Sequence, residues 1–251
     1  MFPTLPDPSE RTCPIYPTII LVHGAFAESG SWNRVIDPLL RADHHVIAAA
    51  NPLRGLAADA HAVSDLLRSV EGPVVLVGHS YGGAVISNVD ADAAEITGLV
   101  YVCGFAPEAG ESCLTLASRF PGSTLGDTVQ PVPRRDGTTD LYIPAERFHA
   151  QFCADVPAAE AATMAAAQRP VTQEALAEPS GNHPLWTELP SWFLVGDQDR
   201  NIPPALQQFM ARRAEAHHII EVPGASHAIA VSQPDATADL ILEAAALHVA
   251  A

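Results

Sequence analysis

The sequence contains no lysine: all 13 of its basic residues are arginines, against 29 acidic residues and a formal net charge of −16. A chain this acidic repels phosphate backbones and anionic lipid surfaces, so neither nucleic acid nor a membrane is expected as a partner. Long hydrophobic runs are also missing, since no apolar stretch approaches the roughly 20 residues of a membrane span. The expected partner is a small-molecule substrate, and a homodimer is left open.

Cysteine is scarce as well, with four residues and no CxxC pair or other metal-like spacing. Neither a metal nor another cofactor is therefore expected. Cys103 lies in an apolar run, which is typical of a core thiol, while a Cys103–Cys113 or a Cys113–Cys153 bridge stays open as an alternative. The first residues lack a basic segment followed by an apolar run, so a secretory signal is not expected. Together these features predict a cytoplasmic enzyme.

The chain of 251 residues, 48% of them hydrophobic and 17% charged, can build one α/β domain with a sizeable core. Short apolar runs alternate with helical patterns, which favours parallel strands joined by crossover helices. The predicted strands are Thr18–Val22, Val46–Ala49, Val74–Val77, Leu99–Val102, Trp192–Val195 and Ile219–Val222. The predicted helices are Ser31–Arg41, Leu56–Val70, Tyr81–Asp92, Pro204–Ala216 and Ala236–Val249. The prediction is a doubly wound, mostly parallel sheet of about six strands.

Residues 107–188 interrupt this alternation with Pro- and Gly-containing loops and short helical pieces such as Ala158–Gln168. Loops at the carboxyl ends of strands overlie the ligand crevice of an open α/β sheet. We therefore predict a core formed by residues 1–106 and 189–251, with residues 107–188 inserted as a helical lid. The alternative is an edge domain without a role at the site.

The pentapeptide GHSYG at 78–82 joins the apolar run VVLV to an alanine-containing helical pattern. A serine on a sharp turn from strand to helix needs small neighbours two residues away, and Gly78 and Gly82 supply them. The hydroxyl of Ser80 could merely cap the helix. Its placement between glycines favours instead a nucleophile held on a strained turn.

A serine hydroxyl needs a base to remove its proton, and that base needs an acid to orient it. His227 lies in the loop PGASHA, between the last predicted strand and the last helix, so it returns to the sheet edge of Ser80. Asp199 follows the preceding strand within GDQDRNIPP and is preferred to Asp197, which is nearer the strand end and suits a turn. His79 is interpreted as a packed structural residue. The order Ser80, Asp199, His227 is the one expected for this topology.

An oxyanion hole should come from a loop early in the chain. The segment LVHGAF, residues 21–26, ends the first strand, and its glycine lets the backbone approach the site. The predicted donors are the backbone N–H groups of Ala25 and Tyr81.

Four segments together, HGAFAESGSW, GHSYGG, GDQDRNIPP and PGASHA, resemble the α/β-hydrolase fold from about Thr18 onward. Within that fold the chain is similar to the branch of plant methyl esterases and hydroxynitrile lyases and to their bacterial relatives. The resemblance implies Ser80, Asp199 and His227 as a catalytic triad. The hydroxynitrile lyases carry a lysine after the catalytic histidine, where this chain has Ala228, so that activity is disfavoured.

The leading hypothesis is a serine hydrolase that cleaves esters of small apolar or aromatic substrates through an acyl-enzyme intermediate. Phe26, Phe148 and Trp186 are predicted to contact the substrate, although most apolar lid residues are expected to form the core of the lid. Three alternatives stay open. They are a lactonase, a biosynthetic cyclase or lyase that uses the same triad, and a receptor-like homologue that binds a ligand without turning it over.

Overall fold

A computed structural model describes residues 16–249. The strands along the described chain are β1 (Thr18–Val22), β2 (Val46–Ala49), β3 (Pro73–His79), β4 (Glu95–Val102), β5 (Gln130–Pro133), β6 (Thr139–Tyr142), β7 (Val171–Thr172), β8 (Ser191–Gly196) and β9 (His218–Val222). Six of them form the main sheet, in which each neighbouring pair of strands is parallel and the spatial order is β2-β1-β3-β4-β8-β9. The predicted doubly wound α/β sheet is confirmed.

Helices cover both faces of this sheet. The helices along the described chain are α1 (Asn33–Arg41), α2 (Leu56–Leu67), α3 (Tyr81–Ser87), α4 (Cys113–Ala117), α5 (Ala145–Phe152), α6 (Ala158–Ala167), α7 (Gln173–Ala177), α8 (Pro204–Arg213), α9 (Ile229–Ser232) and α10 (Pro234–Val249). Short 3₁₀ turns lie at Ser29–Trp32 and Leu185–Thr187. Helices α1 and α10 pack on one face, while α2, α3 and α8 pack on the other.

The two faces of the sheet build two separate hydrophobic clusters because successive strand residues point to opposite sides. In β1, Ile20 and Val22 join the cluster under α2 and α3, whereas Ile19 and Leu21 join the cluster under α1 and α10. All five residues of β1 are buried. A strand covered on both faces explains why the sequence shows continuous apolar runs here and not an alternating pattern.

Several element ends differ from the prediction. Helix α3 ends at Ser87 and not at Asp92, because the following Asn88 turns the chain, with its side-chain amide donating to the carbonyl of Ala84 at 2.9 Å. Helices α2 and α8 also end three residues before the predicted Val70 and Ala216. In the opposite direction, β4 begins at Glu95, four residues before the predicted start.

The segment 107–188 contains more than helices. Strands β5, β6 and β7 form a three-stranded antiparallel sheet, which was not predicted, beside helices α4 to α7. The segment is tied to the loop before α2, where the guanidinium of Arg54 donates to Asp140 at 2.5 Å and to the Pro170 carbonyl at 2.7 Å. A backbone bond of 3.1 Å from Thr172 to Leu53 adds to this contact.

Cys103, Cys113 and Cys153 are free, buried thiols, so neither of the two bridges left open among them is formed. Cys13 and the N-terminal residues interpreted as lacking a secretory signal lie outside the described residues. Within residues 16–249, none of the helices combines the length and the apolar character that spanning a membrane would need.

Candidate active site

Ser80 lies on the turn between β3 and α3, with φ of 55° and ψ of −124°. Positive φ is uncommon for a residue with a side chain and must be held by its surroundings. Here the Ser80 N–H donates to the Val102 carbonyl at 3.2 Å, and the Ser80 carbonyl accepts from Phe105 at 3.0 Å. The strained serine is therefore fixed by the chain that follows the neighbouring strand β4.

Glycines around Ser80 are required by close backbone approach. A Cβ atom at Gly82 would lie 2.3 Å from the Val22 carbonyl oxygen, and one at Gly78 would lie 2.6 Å from the Gly82 carbonyl oxygen. A Cβ at Gly24 would lie 2.5 Å from the Cβ of Ser80. The glycines therefore let β1, its following loop and α3 converge on the serine, as the pentapeptide predicted.

His227 and Asp199 form a buried hydrogen-bonded pair, with 2.7 Å between Nδ1 of the imidazole and Oδ2 of the carboxylate. The carboxylate also accepts from the side-chain amide of Gln207 at 2.9 Å and from the backbone N–H groups of Asn201 at 2.7 Å and Ile202 at 3.0 Å. A carboxylate that accepts four bonds requires the proton on Nδ1 of the imidazole. Nε2 of His227 is then free to accept a proton.

Asp197, the alternative acid, has a different role. Its Oδ1 accepts from the backbone N–H of Gly224 at 2.7 Å, and its side chain is half-exposed. It thus joins the loop after β8 to the turn after β9, which matches the turn function suggested by its position next to the strand end.

His79 connects the serine turn to the histidine loop. Its Nε2 donates to the His227 carbonyl at 2.9 Å, and the two imidazole centroids are 4.7 Å apart. Burial lowers the pKa of His79 to about 3, with the neighbouring His227 as a further cause. The interpretation of His79 as a packed structural residue is confirmed.

Ala25 and Tyr81 line the same cavity as Ser80. Tyr81 is the first residue of α3, and the first amides of a helix have no partner within it. Within residues 16–249, the backbone N–H groups of Ala25 and Tyr81 make no hydrogen bond to another part of the chain. Both are therefore available to a negatively charged oxygen bound beside Ser80.

The loop that carries Ala25 is held by His23. The backbone N–H of Asn51 donates to Nε2 of His23 at 3.1 Å, so its Nδ1 carries the proton and donates to the Gly24 carbonyl at 3.0 Å. Burial lowers the pKa of His23 to about 4. His23 is a neutral support for the loop.

Two buried polar partners were not predicted. Gln207 lies on the buried face of α8, where it supports Asp199, and Asp59 of α2 accepts the phenol O–H of Tyr81 at 2.8 Å. Burial raises the pKa of Asp59. In the sequence, such a partner is indicated by a polar residue that has the same helical spacing as the buried apolar residues of its helix. Gln207, for example, lies four residues before the buried Ala211.

The cavity at Ser80 has a volume of about 320 Å³. Phe26 lines it, together with apolar residues of the segment 107–188 such as Leu125 and Leu141. Phe148 and Trp186 are not among its lining residues. They are buried in the packing of the insertion.

The contacts of these two aromatic residues explain their position. Phe148 stacks on Phe152 with 5.0 Å between ring centroids, and the indole N–H of Trp186 donates to the Pro107 carbonyl at 2.8 Å. The prediction that Phe148 and Trp186 contact the substrate is therefore not supported by their positions, because both are buried and neither lines the Ser80 cavity.

Cys103 lies close to the buried pair formed by Asp199 and His227. Among the described residues, the ligand atoms of Cys103, Asp199 and His227 lie within 4.8 Å of one another. Burial, with the Asp199 charge as a further cause, raises the pKa of the Cys103 thiol well above its usual range. A neutral thiol beside a carboxylate that already accepts four bonds suits a hydrogen-bonded cluster better than a metal site.

The two neutral histidines predict an acid-sensitive fold. The unfolded chain protonates His23 and His79 near pH 6.5, whereas the folded chain does so only near pH 4 and pH 3. Their stabilising contribution is complete above pH 6.5 and is lost as the pH falls toward those values. Each should contribute up to about 1.4 kcal/mol per pH unit to the decline in the free energy of unfolding.

Denaturant titrations between pH 4.5 and 8 would measure this slope. His23→Gln should make it shallower below pH 6, because one proton difference is removed, and replacement of the exposed His45 by Gln should leave it unchanged. A slope in His23→Gln identical to that of the unmodified protein would contradict the lowered pKa of His23 in the folded chain.

A sequence profile described as the Alpha/beta hydrolase family matches residues 19–240. A carbendazim hydrolyzing esterase of Nocardioides sp. is 35% identical over 112 residues, which cover 39% of this chain and 46% of that protein. A pyrethroid hydrolase of Sphingobium wenxiniae is 26% identical over 247 residues, which cover 90% of this chain and 86% of that protein.

Among solved structures, polyneuridine aldehyde esterase superposes with a TM-score of 0.76 at 17% identity, over 91% of this chain and 99% of that one. At this level of identity the likeness concerns the fold. It extends over the segment 107–188 as well as over the main sheet, since nearly the whole of both chains is covered.

Proposed function

The chain belongs to the alpha/beta hydrolase family, and on that premise we propose that it is a serine hydrolase that cleaves carboxylic esters through an acyl-enzyme intermediate. Ser80 is the nucleophile, His227 the base, Asp199 the acid that orients it, and the N–H groups of Ala25 and Tyr81 form the oxyanion hole. The two relatives named above are an esterase and a hydrolase, which supports the reaction class.

The first half-reaction forms the acyl-enzyme. Oγ of Ser80 attacks the ester carbonyl carbon while its proton passes to Nε2 of His227. The N–H groups of Ala25 and Tyr81 donate to the negatively charged oxygen of the tetrahedral intermediate. When the bond from carbon to the alcohol oxygen breaks, His227 returns the proton to that oxygen. The alcohol leaves and the acyl group remains on Ser80.

The second half-reaction uses water. His227 takes a proton from a water molecule, whose oxygen attacks the acyl carbon, and the bond to Ser80 then breaks. The proton returns to Oγ of Ser80 and the carboxylic acid is released. Asp199 stays ionised throughout, holding Nδ1–H of His227 and stabilising the imidazolium. One ester and one water molecule give one alcohol and one acid, and no further reactant is needed.

The observation that carries this proposal is the buried bond of 2.7 Å between Asp199 and His227. Ser80, with φ of 55°, lines a cavity, and the residue before it, His79, donates to the His227 carbonyl. A chain in which Ser80 only capped a helix would not need a strained backbone at that position. In fact, the Ser80 side chain makes no capping hydrogen bond to α3.

The direct test combines an assay with a covalent label. The purified protein should hydrolyse 4-nitrophenyl acetate and butanoate, and a fluorophosphonate probe should modify Ser80 and stop the reaction. Peptide mass spectrometry locates the modified residue. Labelling of a different serine, or inactivity toward both esters, would contradict the proposal. Labelling of Ser80 without turnover would favour the receptor-like alternative.

The substrate class that we propose is a small apolar or aromatic ester. Among the residues described at the wall of the Ser80 cavity, Asp127 is the only charged one, and apolar side chains such as Phe105 and Val129 predominate. Such a wall disfavours a substrate with its own charge. A lactone satisfies the same description, and opening a ring uses the same steps.

We also propose that residues 107–188 act as a lid. Helix α4 and the chain between α4 and β6 contribute Cys113, Leu114, Leu125 and Val129 to the cavity wall. Leu114 remains 44% exposed, so it lies at the mouth of the cavity.

The cytoplasm is the location proposed, and the three free thiols support a reducing compartment.

Cleavage of cyanohydrins is predicted to stay at background. A departing cyanide anion needs a cation, and the residue after His227 is the buried Ala228. Arg200 is exposed, and its guanidinium donates to the Ala150 carbonyl at 3.2 Å. An unpaired charge in apolar surroundings is strongly disfavoured, so we expect no release of cyanide under conditions in which simple esters are hydrolysed.

Ala228→Lys provides the complementary measurement. It should introduce measurable release of cyanide and weaken ester hydrolysis, with circular dichroism used to verify the fold. Rapid cyanohydrin cleavage by the unmodified protein would contradict this prediction, because a cation other than lysine would then have to serve the site.

A further inference from the structure

A second cavity lies next to the one at Ser80. Its volume is about 290 Å³, close to the 320 Å³ of the first. Its wall comes from the loop after β1, the start of α1, helix α6 and Val231. The steps proposed above assign no role to this space, although it is large enough for a substantial part of a substrate.

Phe26 separates the two cavities. Among the residues that line them, it is the one that they share. It directly follows the oxyanion donor Ala25, is 2% exposed, and has φ of 59°. Its N–H donates to the Arg169 carbonyl at 3.1 Å. Phe26 is therefore held in place beside Ala25, the residue whose N–H is proposed to bind the oxygen of the reacting carbonyl.

The second cavity adjoins the residues that surround His227. A cleft of only about 10 Å³, lined by His79, Phe152 and Ala228, leads from it to these residues, and His227 itself lines neither space. The ring of Phe152 meets the imidazole of His227 edge-on, with 5.0 Å between centroids. The cleft and the second cavity have four lining residues in common, namely Ala27, Ser31, Met164 and Val231.

The direction of proton transfer assigns the two cavities. His227 delivers its proton to the departing alcohol oxygen, so the alcohol portion must lie on the histidine side, while the acyl portion remains attached to Ser80. We infer that the second cavity receives the alcohol portion of the substrate and that the cavity at Ser80 receives the acyl portion, with Phe26 as the divider. This inference rests on the proposed ester hydrolysis.

The charges of the second cavity narrow the class of alcohol. Glu28, Glu160 and Arg34 line it, and the Arg34 guanidinium is paired with Glu160 at 2.8 Å. The lining charges sum to one negative charge, so an anionic alcohol portion is disfavoured. The substrate is therefore an ester of an alcohol of several carbon atoms that carries no negative charge, with an apolar acyl group.

Two alanines permit a crossed test, one on each cavity wall. Ala167 of α6 lines the second cavity and Ala117 of α4 lines the first. Tryptophan at either position should fill its cavity. The alcohol series compares the 2-phenylethyl and methyl esters of one acid, and the acyl series compares the octanoate and acetate of one alcohol. Each series yields a ratio of kcat/KM values for the large and small members.

Ala167→Trp should lower the alcohol ratio about tenfold and leave the acyl ratio unchanged, and Ala117→Trp should do the reverse. Ala166→Trp is the matched control, because Ala166 is an exposed neighbour on α6 that lines neither cavity. Both ratios should be unchanged in it. Thermal unfolding verifies that the three variants are folded.

The assignment is overturned if Ala167→Trp alters the acyl ratio, if it alters neither ratio, or if Ala166→Trp reproduces its effect. The proposed function fails separately, when the unmodified protein hydrolyses none of the four esters and the fluorophosphonate probe leaves Ser80 unmodified. Hydrolysis of all four with unaltered ratios in the variants overturns the cavity assignment alone.

Discussion

Replacing Ser80 by alanine should lower kcat for ester hydrolysis by about 10⁶-fold, the typical loss when a triad nucleophile is removed. Without Oγ, the hydrogen-bonded pair of His227 and Asp199 has no group to activate. The remaining turnover should come from the oxyanion hole and from substrate binding alone. The fold should survive, because the backbone bonds that hold the turn do not involve the hydroxyl.

The measurement is kcat on 4-nitrophenyl butanoate, with thermal unfolding recorded for both proteins. Ser69→Ala is a matched control, since Ser69 is exposed and lies in the turn after α2. It should retain full activity. Retention of more than a few per cent of the rate in Ser80→Ala would mean that a different residue carries the reaction.

The main sheet could be predicted because buried parallel strands leave a simple signal. Runs such as TIILV and VVLV are apolar at consecutive positions, and helices separate them. Their parallel arrangement brings the strand ends to one edge, where His79 pairs with Val102 and Gly196 with Val222. Residues that follow those ends therefore converge in space, which is why Asp199 and His227 could be paired from sequence.

The small sheet of the insertion could not be predicted for the opposite reason. Strand β5 contains Pro131 and Pro133, and proline argues against a strand unless it lies at an edge. Here β5 is an edge strand, paired only with β6 among the described residues. Strand β7 has two residues and pairs with β6 across about thirty positions of chain. Such pairings leave no local pattern.

The cavity walls show the same limit. Phe26 could be placed at the cavity because it directly follows Ala25, whereas Phe148 and Trp186 belong to an insertion whose packing depends on long-range contacts. Composition shows that aromatic residues are available but not which surface they cover. The support of Asp199 by Gln207 spans only eight positions, from the loop after β8 to helix α8, but the spacing of Gln207 along α8 shows that it is buried and not which group it contacts.

Asp199→Asn should lower kcat by about 10⁴-fold through the tautomer of the imidazole. Both carboxylate oxygens of Asp199 now accept: Oδ1 from the backbone N–H groups of Asn201 and Ile202, and Oδ2 from Gln207 and His227. An asparagine can satisfy the two backbone donors only by placing its oxygen at Oδ1. Its NH₂ group then points at His227.

With an NH₂ group opposite Nδ1, the imidazole must accept there and carry its proton on Nε2. That tautomer cannot take a proton from Ser80, so the loss should appear in kcat and should recede at high pH, where a serine alkoxide is easier to form. Asp197→Asn is the matched control, because an amide oxygen can still accept from Gly224 and the rate should fall only mildly. A larger loss of kcat in Asp197→Asn than in Asp199→Asn would reverse the choice of acid. The residue that orients His227 must supply both a negative charge and a hydrogen-bond acceptor at Nδ1, so its replacement by asparagine must have the larger effect on the rate.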